Sequence, residues 1–482
     1  MVRRSFAFAF ADKTTALVLQ LATMAVVSRL MTPAEVGLFM ISSSLVIMIE
    51  AFRDFGVASF LIQEPKLEPE LVRSAVTIIG LLSLGLGLLT FLSAGLFAAI
   101  YGDPELGGLI RLASLAFLAA PISNPLLALL RRDMNFGAVA RINIAAMAAN
   151  AVITMSLAFT GHGPVSFAWG ALSAAFINAA GAALYRPEWW IFKPSLKHWR
   201  RVVPFGAWTS AVTLLHMLYE AMPRLLLGRI LGFNAVGLFT RAVSLNQLPD
   251  RLLLNAVQPV VLPAFAAKAR NHESLSPPYL LGLSMISGLQ WPALLALALL
   301  ADPIVRLLMG QQWMEVVPLV RILAIAMLPL VPSYLAFPLL VTLGRIKLMA
   351  IVTLVTFPIA TLIVLVCAQF SLTAVAWGML VANTVQVGAM LVAVRRHAAF
   401  NWSDFGMIAV RSGAVALCTA AFPAALVAMH GPALSVPLLA AAVIGAAACW
   451  VIGLMVVSHP LSAEITRLVE TLRRFRLGSN VA

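Results

Sequence analysis

The chain has 482 residues, 61% of them hydrophobic and only 11% charged; a soluble fold cannot bury so large an apolar share, because surface grows too fast relative to core volume. Continuous apolar runs of about 20 residues, the length that crosses a hydrocarbon core, exclude a β-barrel, whose strands alternate apolar and polar residues. The formal net charge is +14, yet the cations are spread over short loops and form no basic face with interleaved aromatics, so no nucleic-acid partner is expected.

In chain order, Arg3 and Arg4 precede a short apolar run at 6–10 that Asp12 and Lys13 interrupt. This reads as a retained cytoplasmic N-terminus and not as a cleaved signal. Runs bounded by charge, Pro or Gly then predict about 14 spans, at roughly 14–31, 36–60, 74–100, 108–130, 139–160, 164–185, 205–230, 235–260, 278–301, 317–342, 348–368, 371–394, 406–429 and 434–457. The expected fold is an all-α polytopic membrane protein with connections too short to be independent domains. Cys367, Cys418 and Cys449 lie far apart inside apolar runs, a spacing that gives neither a disulfide framework nor a metal site. In the tail, Leu461, Ile465, Leu468, Val469, Leu472 and Phe475 share one helical face, the pattern of an amphipathic surface helix.

Lys and Arg set the direction. With the N-terminus inside, 25 of the 33 basic residues fall in cytoplasmic loops and tails, and only Arg29, Arg111, Arg229, Arg306 and Arg321 fall at outer ends. The bias predicts an even span count, both termini cytoplasmic and a multi-pass protein of the bacterial inner membrane.

The chain also repeats itself at an offset of 200 residues: Arg29, Val36, Gly37, Leu38 and Phe39 are matched by Arg229, Val236, Gly237, Leu238 and Phe239. A second echo sets Glu105–Arg111 against Glu315–Arg321. Both fall at the same topological place in a six-span unit, and because six is even the copies share one orientation about an axis along the membrane normal. The expected layout is a six-helix bundle at 1–185, a cytoplasmic linker at 186–204, a second six-helix bundle at 205–394, two appended helices at 395–457 and a cytoplasmic tail at 458–482. Parallel repeats of this kind belong to transporters that alternate access to a central cleft.

The run Ser28-Arg-Leu-Met-Thr-Pro-Ala-Glu-Val-Gly-Leu-Phe39, followed by Asp54-Phe-Gly-Val57 and Gln63, resembles the opening of polysaccharide transporters. These are the Wzx-type oligosaccharide flippases of the multidrug/oligosaccharidyl-lipid/polysaccharide (MOP) superfamily. Gly228–Gly232 and Leu319–Ala324 are similar to recurring features of the same family. The resemblance covers nearly the whole chain. It implies a flippase or exporter that carries a polyprenyl-pyrophosphate-linked oligosaccharide, a unit of lipopolysaccharide, capsule or exopolysaccharide, from the cytoplasmic to the periplasmic leaflet. It implies the lipid bilayer and this lipid-linked oligosaccharide as partners, and admits polysaccharide polymerase and export machinery. No cofactor is expected beyond a coupling proton or sodium ion.

A charge at bilayer depth costs about 2.5–3.5 kcal/mol on insertion scales, so each one calls for a reason. The charges gather on three predicted spans: Glu50, Arg53 and Asp54 on the second, Glu220 and Arg224 on the seventh, Arg241, Asp250 and Arg251 on the eighth. A pyrophosphate headgroup is anionic and a guanidinium fork grips phosphate bidentately, which makes Arg224, Arg241 and Arg251 the candidate cargo contacts. Glu220, Asp250, Glu50, Arg53 and Asp54 are the candidates for gating or for holding a coupling ion. Simpler roles compete. Glu220 and Arg224 stand at the spacing of an intrahelical ion pair, Arg53 and Asp54 lie near enough to the end of their span to snorkel, and Asp250 and Arg251 point apart on a helix. Amides such as Asn246, Gln247 and Asn383 serve to join helices.

An enzyme acting on the same lipid-linked sugars, a glycosyltransferase or polymerase, needs a sizeable aqueous loop with a carboxylate pair, a His/Cys metal spacing or a Gly-rich phosphate loop. No solvated segment of the sequence carries one. The nearer alternative is another cargo, either that of a drug or cation antiporter or that of a peptidoglycan-precursor flippase of the same superfamily. Within the spans four acids (Glu50, Asp54, Glu220, Asp250) balance four arginines (Arg53, Arg224, Arg241, Arg251), so charge alone does not separate the cargoes.

Overall fold

The fold is given by a computed structural model, which describes residues 2–54, 56–64, 66–251, 265, 268–271, 273–398 and 400–463. No β-strand occurs among them. The chain divides into two compact units, residues 1–240 and 241–482. The first contains α1 (Val2–Leu30), α2 (Pro33–Asp54), α3 (Val57–Gln63), α4 (Pro69–Tyr101), α5 (Pro104–Ser114), α6 (Ala120–Arg132), α7 (Phe136–Phe159), α8 (Val165–Tyr185) and α9 (Trp199–Ile230). α10 (Gly232–Asn246) runs across the boundary. The second contains α11 (Ser276–Leu299), α12 (Ala301–Leu308), α13 (Val316–Met327), α14 (Val331–Thr342), α15 (Ile346–Ala368), α16 (Leu372–Arg395), α17 (Trp402–His430) and α18 (Val436–Val456).

Local chemistry sets the helix ends. Thr32 and Glu35 form a capping box at α2: the Glu35 amide donates to Thr32 Oγ1 (3.3 Å) while the Glu35 carboxylate accepts from the Thr32 amide (2.7 Å). Pro33, Pro69 and Pro104 occupy first turns, where a missing N–H costs nothing. Asp103, Asn135 and Ser371 cap α5, α7 and α16 through their side chains. α9 runs through Pro223 as one continuous helix.

In the first unit α7 packs on α8 and α1, α4 on α5, and α2 on α9. In the second, α11 packs on α17, α15 on α16, and α17 on α18. Each unit has its own apolar core, with Leu61, Leu71, Ile79, Leu126 and Ile142 in the first and Tyr279, Leu283, Leu339, Leu391 and Val394 in the second. The outward faces are apolar as well. Leu84, Leu88, Leu92 and Leu96 form such a face on α4, with Leu92 69% exposed. A face of this kind has lipid for its solvent, and the chain is a multi-pass membrane protein.

Among the described residues ten helices are long and apolar enough to cross a membrane, or eleven if the bent pair Pro104–Leu118 and Ala120–Arg132, broken by 48°, is one span. Ten or eleven of the fourteen expected spans are therefore met by composition. The other three places are informative. In the first, the apolar helix counted is Thr14–Leu30, the part of α1 with described side chains. The seventh, α9, carries Arg200, Arg201, Glu220, Arg224 and Arg229. The eighth is described as the 15 residues of α10 and a turn at 248–251, the rest lying outside the described residues. The amphipathic tail lies outside them from residue 464 onward.

Two further features matter below. The connection from Arg186 to His198 is a fixed strap and not a loose linker. It contains one 3-10 turn, Trp189–Phe192, and buries Ile191 in the core of the first unit. Arg73 Nε of α4 donates to the Lys193 carbonyl (2.9 Å), Ser195 N donates to Thr77 Oγ1 (3.0 Å), and Ser195 Oγ donates to the Glu70 carboxylate (3.0 Å). The sequence repeat also has a physical counterpart. A Cβ on Gly37 would collide with the Phe233 carbonyl, and a Cβ on Gly237 would collide with the Pro33 carbonyl. Moving Gly37 forward and Phe233 back by 200 residues gives the mirror contact, Gly237 on Pro33, as at a local two-fold axis.

Candidate functional site

The chain turns between α9 and α10 at Gly232, whose φ of +83° only glycine adopts without strain. From there α10 carries Arg241 into the interior, where it is 6% exposed. Its guanidinium carbon lies 5.6 Å from the ring centroid of Trp313, a wholly buried residue on the 3-10 turn Gln311–Trp313. Arg241 Nε and Nη2 have no hydrogen-bond partner among the described residues. The cation–π contact, about 2 kcal/mol when desolvated, offsets only part of the cost of burying that charge. Nε and Nη2 share one edge of the guanidinium, the edge that grips a carboxylate or phosphate side-on. The arrangement is an anion-binding edge without an anion.

The same stretch is tied into its own unit. Asn246 Nδ2 donates to the Val320 carbonyl (3.1 Å) and joins α10 to α13. Asp250, at the end of the described stretch, accepts from the Tyr334 hydroxyl (2.6 Å) on Oδ2 and from Gln290 Nε2 on Oδ1. Gln290 is buried and its Oε1 has no partner among the described residues. The carboxylate, the amide and the phenol come from three different elements. Arg251 Nη2 donates to Gln247 Oε1 (3.2 Å), so Asp250 and Arg251 face different partners, as their adjacency on a helix requires.

In the first unit Arg53 does not snorkel. It is buried, pairs with Glu50 at 2.9 Å, and lies 5.2 Å from the Phe117 ring centroid. The reason is local: the i,i+3 spacing places the carboxylate within reach and the aromatic face covers the guanidinium. The Asp54 side chain lies outside the described part of the structure. Glu220 is exposed on α9 and Arg224, one turn later, is half-buried.

Sequence reasoning found the charges and missed what holds them. Trp313, Gln290, Tyr334 and Phe117 are the uncharged residues around the candidate charges. Gln290 left a faint signal as a lone amide in an apolar run, whereas nothing in the sequence separates Trp313 from any other buried aromatic. Among the described residues no group of three or more His, Cys, Asp or Glu is placed to hold a metal ion, and the three cysteines are free.

Residues 26–318, more than half of the chain, match the family model described as polysaccharide biosynthesis protein. The chain belongs to this family. Relatives include the lipopolysaccharide biosynthesis protein WzxC of Escherichia coli (strain K12), 27% identical over 320 residues that cover 64% of this chain and 63% of that protein. Another is the succinoglycan biosynthesis transport protein ExoT of Rhizobium meliloti (strain 1021), 25% identical over 351 residues, 71% of this chain and 70% of that protein. The chain thus matches somewhat less than two thirds of the length of WzxC. Among solved structures the fold is similar to the lipid II flippase MurJ in an inward closed conformation, with a TM-score of 0.77 at 13% identity over 93% of this chain and 98% of that one. It is also similar to an inward-facing multidrug resistance MATE transporter of the MOP superfamily, with a TM-score of 0.65 at 18% identity over 80% and 95%. This family member has the all-helical membrane fold that its sequence resemblance implied, and its named neighbours are transporters and flippases, not catalysts.

Proposed function

We propose that this family member is a flippase that carries a polyprenyl-pyrophosphate-linked oligosaccharide from the cytoplasmic to the periplasmic leaflet of the inner membrane by alternating access, with both termini cytoplasmic. The observation that carries this reading is the buried Arg241 edge. A guanidinium this deeply buried, with no partner for Nε and Nη2 among the described residues, is costly to keep, and an anion supplied in another state of the protein offsets that cost. A diphosphate passing through the interior supplies one. Arg224 and Arg251 are the further cargo contacts in this reading, and Asp250, Glu220, Glu50, Arg53 and Asp54 serve in gating or hold a coupling proton or sodium ion. Support for the saccharide comes from the biosynthesis and transport names of the relatives, and support for a lipid-linked cargo from the likeness of the fold to a lipid II flippase.

The test is a strain deleted for the protein, in which radiolabelled lipid-linked saccharide is followed together with surface polysaccharide. Deletion is expected to leave the saccharide in the cytoplasmic leaflet. Wild type restores export, Arg241→Ala lowers it by more than tenfold, and Arg241→Lys, which keeps the charge but loses the side-on edge, recovers part. Full export with Arg241→Ala removes Arg241 from the cargo path. Unchanged polysaccharide in the deleted strain removes this cargo altogether.

A further inference from the structure

The strap between α8 and α9 bears a surface that saccharide transport does not explain. Trp189, Trp190, Leu196 and Trp199 expose their side chains there, Trp189 at 64% and Trp199 at 48%, and Tyr185 at the end of α8 is exposed too. The rings are held outward by a rigid backbone, because the strap is hydrogen-bonded to α4 through Lys193 and Ser195 and anchored by buried Ile191. Cations interleave with the rings: the Arg200 guanidinium carbon lies 5.6 Å from the Trp199 ring centroid, and that of Arg141 lies 5.4 Å from Tyr185. Over residues 64–73, 131–141 and 186–201 ten Lys and Arg stand against five Asp and Glu. Four of the acids are taken up by Arg201, Arg73 and Arg186. Among the described residues no carboxylate pairs with Lys193 or Arg200.

An indole with an apolar body and a polar N–H is most stable at headgroup depth, and unneutralised cations beside it favour a leaflet of negative charge. We propose that the strap is a docking shelf for anionic phospholipid of the surrounding leaflet. Trp189, Trp190 and Trp199 seat among the headgroups, and Lys193 and Arg200 bind lipid phosphates. The shelf fixes the depth of the first unit in the bilayer, since the strap cannot move without breaking its ties to α4.

The test uses the full-length protein in micelles containing equal amounts of phosphatidylglycerol and phosphatidylcholine, with retained lipids counted by native mass spectrometry. Wild type is expected to retain phosphatidylglycerol in preference. K193Q/R200Q is expected to lower that preference at least threefold, and R345Q/K347Q, which removes cations from a different connection, to leave it unchanged. Equal retention of the two lipids by wild type overturns the proposal. So does an unchanged preference in K193Q/R200Q, or an equal loss in R345Q/K347Q. In nanodiscs with lipids brominated close to the headgroup, W189F/W190F/W199F is expected to lower the quenched fraction of the emission, and no change overturns the seating of the rings. No saccharide enters either measurement, so their outcome is independent of the cargo.

Discussion

At the scale of single residues, Arg241 separates stability from function. A buried cation with two nitrogens that find no partner among the described residues burdens the fold, and replacing buried charge by apolar side chains of similar volume is often neutral or stabilising, by about 1–4 kcal/mol. Arg241→Met is therefore expected to raise the thermal midpoint of the purified protein, or leave it unchanged, while saccharide export falls as it does with Arg241→Ala. A lower midpoint would mean that the guanidinium supports the fold. His459 makes a second case, outside the spans. It is buried, its Nδ1 accepts from the Leu461 amide (3.3 Å), and its Nε2 lies 3.2 Å from Ser284 Oγ and 3.3 Å from Ser412 Oγ. An acceptor role at Nδ1 requires the neutral ring with its proton on Nε2. Burial holds its pKa below the ordinary value, and the charge of Arg411 adds to the effect. The folded pKa is depressed, so the unfolded chain binds the proton first. The contribution of this residue is present above the unfolded value of about 6.5 and is lost as pH falls through the folded one. Thermal melts of wild type between about pH 7.5 and about pH 5 should show that loss, and His459→Gln should remove the part of it that belongs to this ring.

At the scale of elements, the sequence repeat marks where two helices must touch. Residues 36–39 and 236–239 looked like a motif, but their identity alone does not tell a gate from a ligand site or a packing contact. The structure shows close approach of backbones: Gly37 faces the Phe233 carbonyl and Gly237 faces the Pro33 carbonyl. A methyl group in either place pushes α2 and α10 apart, and overpacking of this kind typically costs about 1–3 kcal/mol. Gly37→Ala should lower the thermal midpoint, whereas Gly80→Ala, with nothing within 4 Å of its Cβ, should leave it unchanged or raise it. Equal effects at the two sites would contradict the contact. The same scale shows what a sequence can carry. Helices stand at the places where apolar runs stop at Pro, Gly or charge, because those signals are local. The site charges were legible for the same reason, being polar residues in an apolar context. Their partners were not: Trp313 is far along the chain from Arg241, and Tyr334 lies 84 residues beyond Asp250. Such pairings are fixed by tertiary packing, which leaves no spacing to read. The strap was read as a linker because its ties to α4 bridge more than 100 residues of sequence.

At the scale of the whole molecule, the number of crossings turns on α9 and α10. Both are expected to span, neither is among the ten helices counted among the described residues, and both carry candidate cargo charges. The charges have a physical reason if the helices line a wet path, because a face in contact with water or an anionic headgroup has no need to be apolar. A helix lying on the membrane surface would carry the same charges for a different reason. Labelling separates the two. With Cys367, Cys418 and Cys449 replaced, single cysteines are introduced at the exposed Asn234, in the first turn of α10, and at the exposed Asn271, before α11. Impermeant maleimide added to intact cells with a permeabilised outer membrane should label Asn234→Cys and spare Asn271→Cys until the inner membrane is opened. If both label from one side, or neither does, the α10 stretch does not cross. If Asn234→Cys shares the side of a cysteine at exposed Lys197, α9 does not cross. Either result lowers the span count and takes its arginines out of the path. Sites on opposite sides in both comparisons mean that α9 and the α10 stretch both cross, which keeps Arg224 and Arg241 among the candidate cargo contacts.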